Sequence, residues 1–395
     1  MGQTKTFFKR KKGWSIIKDE IFSSYMTPYI AKLLTSRRPL YIIDCFAGQG
    51  LFDDGKVGSP IIIARKIADV LKQNPYAKVT GAFIEKKYYR QLEKNMVGFK
   101  NCTIHRGSFE DNINNVLPKD PKSSVFLYVD PYGIKSLDFD RFKKIKDCNY
   151  SSIEMLLNFN TFGFLREGCR LLKTARSFEE EYDEDYEVDE ANTVSNMNLI
   201  AKGEYWIDIL DRYNAGEISM FEAEELFTHE YTKMIKTIFR YVLSIPIKTK
   251  SQNIPKYRLI FASDNEDGLI LMADNMSRQW KKMIEEELNG QMTLFGYDFP
   301  DMSLKQGYDI EKDIIMEAKK SLDLKDLLVN IIQKYGVSFT VKEYIDKLKD
   351  MEGKHIEVNR NPATTPTGRI AISWDYNKYK ITISSLDALF DVKLM

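Results

Sequence analysis

Four short segments, in one order and at one spacing, limit the fold of this chain more than anything else in it. They are YIIDCFAGQG (41–50), GAFIEKK (81–87), RGSFED (106–111) and FLYVDPYG (126–133). The first is an apolar, β-rich run followed by Gly48 and Gly50, which let the backbone turn tightly and come close to a ligand. The second ends in Glu85, the third in Ser108, and the fourth in Asp130-Pro131-Tyr132. One such segment would mean little. Four in register predict parallel strands whose C-terminal ends share a ligand site.

The rest of the first 160 residues fits that frame. Residues 14–35 carry Ile16, Ile17, Ile21, Phe22 and Tyr25 at helical spacing, so an amphipathic helix precedes the first strand, Tyr41–Phe46. Gly58-Ser59-Pro60 opens a helix, with Ser59 as the N-cap and Pro60 at the first helical position. Strands Val79–Glu85, Cys102–Gly107, Val125–Val129 and Ile153–Phe159 alternate with helices Tyr88–Val97, Glu110–Leu117 and Phe139–Asp147. This alternation predicts an α/β, Rossmann-like parallel sheet covered on both faces.

After Asn160 the alternation breaks. A helical insertion is expected over about 161–236, including the acidic run FEEEYDEDYEVDE at 178–190, which reads as a solvated face. Phe239–Ile247 and Tyr257–Ala262 supply a sixth and a seventh strand, the seventh antiparallel at the end of the sheet, and helix Gly268–Leu288 follows. The expected division is a basic helical segment at 1–38, the α/β domain that carries the four segments at 39–290, a linker at 291–310 and a small α+β domain at 311–395. That last domain shows helix Leu324–Tyr335, a capping box at Thr340-Val341-Lys342-Glu343 and a hairpin, without a clear third helix. A winged-helix-like module and a plain interaction domain both remain open for it.

Composition narrows the class. Of the 395 residues 43% are apolar and 29% charged, which suits a chain that buries a sizeable core behind a solvated surface. The net charge of +1 gives no global case for nucleic acid. The charge is uneven, however: Lys9-Arg10-Lys11-Lys12 and Arg37-Arg38 make the start basic, and such a patch attracts phosphates. The four cysteines lack CxxC spacing and the three histidines are scattered, so no metal is expected. No run of 18 apolar residues appears, so neither a membrane span nor a signal core is expected, and the location reads as cytoplasmic.

The chemistry of the strand ends points to S-adenosylmethionine (SAM). Asp44 and the turn Phe46-Ala47-Gly48-Gln49-Gly50 suit the methionine end, where backbone N–H groups meet a carboxylate and Asp44 accepts from an ammonium. Glu85 suits a ribose diol, which offers two donors to two oxygens. Ser108 and Phe109 fall where an adenine would be held, although Phe109 reads equally well as core. Asp130-Pro131-Tyr132 carries the reaction type. An acid that accepts from an exocyclic amine, followed by an aromatic that stacks on an extruded base, is the arrangement of amino-directed nucleic-acid methylation. Here one proline, not two, precedes the aromatic. Asn158 and Asn160, at the end of the fifth strand, would line the substrate pocket. Cytosine-C5 chemistry needs a nucleophilic Cys, usually after Pro, and none of the 12 prolines precedes a cysteine.

With these residues in view, the chain resembles the three-Cys-motif partner protein family (TcmP), bacterial proteins that look like SAM-dependent methyltransferases. The resemblance rests on Asp44 to Gly50, Gly58-Ser59-Pro60, Phe83-Ile84-Glu85, Gly107-Ser108-Phe109, Asp130 to Ile134, Leu156 to Phe159, and the late Tyr257 to Phe261 and Gly268 to Met272. It covers about residues 1–290. The family usually has Pro where Gln49 stands and Phe where Tyr132 stands. The resemblance implies a Rossmann-like methyltransferase domain and a partner with a three-cysteine motif, similar to radical-SAM proteins. Two readings lead, methyl transfer to an exocyclic amine of DNA or RNA and a non-catalytic SAM- or nucleotide-binding scaffold, with small-molecule methylation a weaker third.

Overall fold

The computed structural model describes residues 8–131, 133–134, 139–178, 193–248, 255–290 and 309–386, with side chains of the helix ending at 290 described to residue 282. Two compact units divide the chain between Asn265 and Glu266.

The first unit begins with helix α1 (Gly13–Leu34), which buries Ile21, Phe22, Tyr25, Met26, Tyr29 and Ile30. This stripe packs aromatic rings on the sheet: Phe22 stacks on Tyr128 at 4.3 Å and Tyr29 meets Phe126 at 5.2 Å. Seven strands then form one sheet, β1 (Leu40–Asp44), β2 (Val79–Glu85), β3 (Cys102–Arg106), β4 (Ser124–Val129), β5 (Ser152–Phe159), β6 (Tyr241–Ile247) and β7 (Tyr257–Ser263). Their order is β3-β2-β1-β4-β5-β7-β6. Strands β1 to β5 are parallel, while β7 runs antiparallel to both β5 and β6. This is the Rossmann-like, mostly parallel α/β sheet expected from the sequence. One detail is corrected: the antiparallel seventh strand is inserted between β5 and β6, and β6 takes the sheet's end. Both strands are apolar, so periodicity alone could not rank them across the sheet.

Helices α2 (Ser59–Gln73), α3 (Tyr89–Asn95), α4 (Phe109–Val116) and α5 (Phe139–Lys146) link the parallel strands. The N-cap of α2 is Gly58, not Ser59, so Ser59 and Pro60 open the helix itself. Pro is tolerated there because the first N–H groups of a helix have no partner within it. Beyond β5, α6 (Thr161–Leu172), α7 (Val194–Ala201), α8 (Tyr205–Asn214) and α9 (Met220–Lys236) occupy the region read as an insertion. They bury Phe164 and Phe227 against Phe159 of the sheet, with Trp206 edge-on to Phe164. Arg258 of β7 pairs bidentately with the buried Glu224 of α9 and fixes that helix to the sheet. The acidic stretch 179–190 lies outside the described residues.

The second unit begins earlier than expected, because helix α10 (Glu266–Gly290) belongs to it. It continues with α11 (Ile310–Ala318), β8 (Leu322–Asp323), α12 (Leu324–Tyr335), α13 (Val341–Met351), β9 (Ile356–Asn361) and β10 (Lys380–Ser385). The three strands form an antiparallel sheet in the order β8-β10-β9. Helix α11 supplies the helix that the sequence reading lacked. The capping box is present: the Thr340 hydroxyl accepts from the Glu343 N–H, and the Glu343 carboxylate accepts from the Thr340 N–H at 2.8 Å. No helix among the described residues is long and apolar enough to cross a membrane.

Candidate functional site

Strand order reverses between β1 and β4, and in an open α/β sheet ligands bind outside the strand C-termini at that reversal. Asp44 ends β1, Asp130 follows β4, and Glu85 ends β2 beside them. All three acids therefore reach one edge of the sheet.

Asp44 is fully buried. Its Oδ1 accepts the Phe46 N–H at 3.2 Å, while its Oδ2 is buried with no hydrogen-bond partner. Burial pushes its pKa up to about 7, against the opposing pull of the Ser59 hydroxyl and the Phe46 N–H; Asp130 and Glu85 add like charge. An orphaned carboxylate oxygen of this kind fits a cationic donor. The turn that follows is built on Gly48 at φ +63° and Gly50 at φ +79°, both in the left-handed region that favours glycine. Phe8 lies against Gly48 and edge-on to Tyr88, with ring centroids 4.7 Å apart.

Glu85 organises the corner. One carboxylate oxygen accepts from the Lys87 and Tyr88 N–H groups at 2.6 and 2.7 Å, and the other accepts from the Gly48 N–H at 2.7 Å. The acid at the end of β2 thus holds the β1 turn; the oxygen that accepts from Lys87 and Tyr88 is filled, while the one that accepts only from Gly48 keeps a lone pair direction for a hydroxyl donor. Ala47 is buried, and its N–H donates to the Ile84 carbonyl at 3.0 Å. Phe46 is half-buried and packs on Phe109 at 5.4 Å.

The third strand's residues have local tasks. Ser108 caps α4, its hydroxyl accepting from the Asp111 N–H. Phe109 is 1% exposed and packs between Phe46 and Phe142, so its ring serves the core and offers no stacking face. Of the two readings open for Phe109, the core is the one observed.

The fourth strand's acid has partners that sequence reasoning missed. Asp130 Oδ1 accepts from Asn158 Nδ2 at 2.7 Å, and Oδ2 is ion-paired with Lys18 of α1. Lys18 is buried. Burial alone would push its ammonium down, but Asp130 and Asp19 face it and hold it above the ordinary lysine value. Asn158 is also buried and its Oδ1 has no partner, leaving an acceptor beside the Asp130 carboxylate. Asn160, by contrast, caps α6 by accepting the Gly163 N–H at 2.7 Å. Pro131 is buried, and Tyr132 lies outside the described residues. Lys11, read as part of a phosphate-attracting patch, is buried: it pairs with Asp19 and donates to the Val57 carbonyl at 2.7 Å. No cluster of metal-ligating side chains occurs among the described residues.

No protein-family model matches the chain, and no curated protein matches it in sequence. Solved structures do. The yhhF protein of Escherichia coli, a candidate methyltransferase, overlaps 37% of this chain and 71% of its own at 14% identity and a TM-score of 0.24. Protein LPL1258 of Legionella pneumophila overlaps 64% and 85% at 12% identity and a TM-score of 0.32. The mycolic acid cyclopropane synthase CmaA1, solved with S-adenosylhomocysteine (SAH) and CTAB, overlaps 65% and 68% at 9% identity and a TM-score of 0.24.

Proposed function

We propose that this chain is a SAM-dependent methyltransferase acting on an exocyclic amine of a nucleic-acid base. The observation that carries the reading is the convergence of Asp44, Glu85 and Asp130 at the strand-order reversal, with Asn158 and Lys18 bonded to Asp130.

The residues fit the cofactor. The unpartnered Oδ2 of Asp44 suits the ammonium, the Gly48–Gly50 turn suits the methionine end, and Glu85 Oε2, with one lone pair direction open, suits a hydroxyl of the ribose diol. Bound there, SAM would supply an electrophilic methyl group on a sulfonium. The chain's own residues do the rest by placement, which accounts for much of the acceleration in such reactions. Asp130 and the Asn158 Oδ1 each accept one hydrogen of the amine and direct its lone pair away from them. As the nitrogen gains the methyl group, Asp130 takes the proton it must lose. Lys18 holds the Asp130 carboxylate in one orientation while that happens. Tyr132 is assigned the stacking role from its place after Asp130-Pro131, since an extruded base needs an aromatic face.

The resemblance to TcmP supports a partner with a three-cysteine motif, and the helix-rich second unit with its β9–β10 hairpin supports a winged-helix-like reader or docking module. Calorimetry with SAM, followed by transfer of labelled methyl to RNA, DNA and candidate partner protein, tests the whole reading. Absence of SAM binding would remove it. Binding with no transfer to any nucleic acid would favour the scaffold activity.

A further inference from the structure

Just before α1, the chain is strapped to the loop that follows the β1 turn. The Asp53 N–H donates to the Phe8 carbonyl at 2.8 Å, the Lys11 N–H donates to Asp54 Oδ2 at 3.1 Å, and Lys11 Nζ donates to the Val57 carbonyl at 2.7 Å. Lys11 is buried and Phe8 half-buried, while Lys9 and Arg10 between them are exposed. The two ends of this strap are held by different physics. Lys11 pairs with the buried Asp19, the sequence neighbour of Lys18, and Lys18 pairs with Asp130. Charges therefore alternate from Lys11 through Asp19 and Lys18 to Asp130, and each attracts the next. Withdrawing Lys11 would leave a buried carboxylate short of a cation, which is strongly unfavourable.

Phe8, at the other end, packs by its ring. It lies 5.4 Å from Phe52 and 4.7 Å from Tyr88, edge-on to the latter. Its Cζ is 3.3 Å from where a Cβ on Gly48 would stand. The ring thus bridges the β1 turn and the residues just after β2, and Glu85 bonds the same two places through the Gly48 and Tyr88 N–H groups. Contacts of a half-buried ring are far easier to give up than a buried ion pair. The strap can open at Phe8 while it stays anchored at Lys11.

Resting on the SAM reading of this corner, we propose that residues 8–10 form a flap hinged at Lys11, which shuts over the bound cofactor with Phe8 as the outer wall of its pocket and lifts for exchange. A wall that spans the turn and the ribose acid keeps water from the pocket and slows release, as closing segments do. The hinge lysine and the acid assigned to the amine belong to one chain of charges, so the flap is anchored to the same framework that places Asp130. This gives the basic segment a use other than phosphate attraction: Lys11 is the pivot, and Lys9 and Arg10 form the outer side of the flap.

The test uses the full chain with SAH as the probe. Labelled SAH is bound, chased with excess unlabelled SAH, and its release followed by rapid filtration. Phe8→Ala should release it about 10-fold faster, with an association rate within about threefold of the parent's. Phe8→Leu should recover part of the difference, and thermal melting of both variants separates loss of the flap from loss of the fold. Trypsin gives a second readout that needs no variant. It should cut the free chain after Lys9 and Arg10, and saturating SAH should slow those cuts at least about fivefold, because cleavage follows the population of the opened segment. Cutting after the exposed Lys378 of the second unit is the control and should not change. The inference is overturned if Phe8→Ala folds and releases SAH at the parent's rate, or if it binds SAH more tightly than the parent, as removal of a plug would. It is overturned equally if SAH leaves the cuts after Lys9 and Arg10 unchanged, which decides the matter even where Phe8→Ala does not fold. A parent chain that binds no SAH overturns the cofactor reading and the flap together. One that binds SAH without protecting the strap overturns the flap alone.

Discussion

Lys18 of α1 forms an ion pair with Asp130 at the end of β4, joining positions 112 residues apart in the sequence. The acid that the sequence marks for the amine is therefore not a free strand-end charge. Lys18→Ala should lower single-turnover transfer on the order of 10²-fold through misplacement of Asp130. It should change SAH affinity less than threefold, and Lys18→Arg should recover part of the rate. Stability should fall by about 1–3 kcal/mol in urea denaturation, because Asp130 loses its charged partner. Equal rates for Lys18→Ala and the parent would show that the ion pair is purely structural.

Glu85 holds the β1 turn, and on the methyltransferase reading it also holds the ribose, so its removal should reveal two effects. Glu85→Ala should raise the SAH dissociation constant by the equivalent of about 1–3 kcal/mol, since charge-assisted bonds to the ribose are lost. The Gly48, Lys87 and Tyr88 N–H groups also lose their acceptor, so the melting temperature should fall without any ligand. Calorimetry and melting on the same preparation check this; SAH affinity equal to the parent's would contradict the ribose assignment.

Asp44 predicts a pH dependence with a definite sign. Its pKa is pushed up to about 7 in the fold, from an ordinary value of 3.8. A group raised in this way contributes stability below its unfolded value, and that contribution is lost as pH rises through about 7. An ammonium ligand prefers the ionised form. SAM affinity should therefore increase from pH 6 to pH 8, with proton release visible as a buffer-dependent heat. Asp44→Asn should bind weakly and show neither the slope nor the proton release. Glu154, buried on β5 under the Tyr25 hydroxyl and also raised to about 7, adds to the stability slope but not to the binding slope.

Asn158 and Asn160 should separate cleanly. Asn160→Ala removes an N-cap and should cost about 1 kcal/mol of stability with little change in transfer. Asn158→Ala should do the reverse and slow transfer by at least tenfold, because it removes an acceptor for the amine and a donor to Asp130. Urea denaturation and single-turnover transfer on both variants decide this, and a slow Asn160→Ala enzyme with a fast Asn158→Ala enzyme would contradict the assignment.

Much of the first unit was legible because its signals are local. Val79–Glu85 is an apolar run ended by an acid, and strand β2 has those limits. What stayed hidden depends on long-range contacts. A lysine on an amphipathic helix reads as solvated, and Lys18 is buried only because α1 lies over β4 and meets Asp130 there. Phe109 follows a strand end like a stacking residue, yet Phe46 and Phe142 close over it. Strand β8 is two residues long and exists through its pairing with Thr382 and Ile383 of β10, which no window around Leu322 contains. Asn158 and Asn160 were indistinguishable as sequence, because only the fold shows one turned to Asp130 and the other spent on a helix cap.

The central claim is that Asp130 orients an amine for methyl transfer, and one measurement tests it most directly. Parent and Asp130→Asn chains, each saturated with methyl-labelled SAM, are mixed in single turnover with total RNA and sheared DNA, and label in nucleic acid is followed with time. The account predicts transfer by the parent, a rate lower by about 100-fold or more for Asp130→Asn, and SAH affinity within about threefold of the parent for that variant. Equal transfer rates for the two chains, or SAM binding by the parent with no label reaching either nucleic acid, would contradict it.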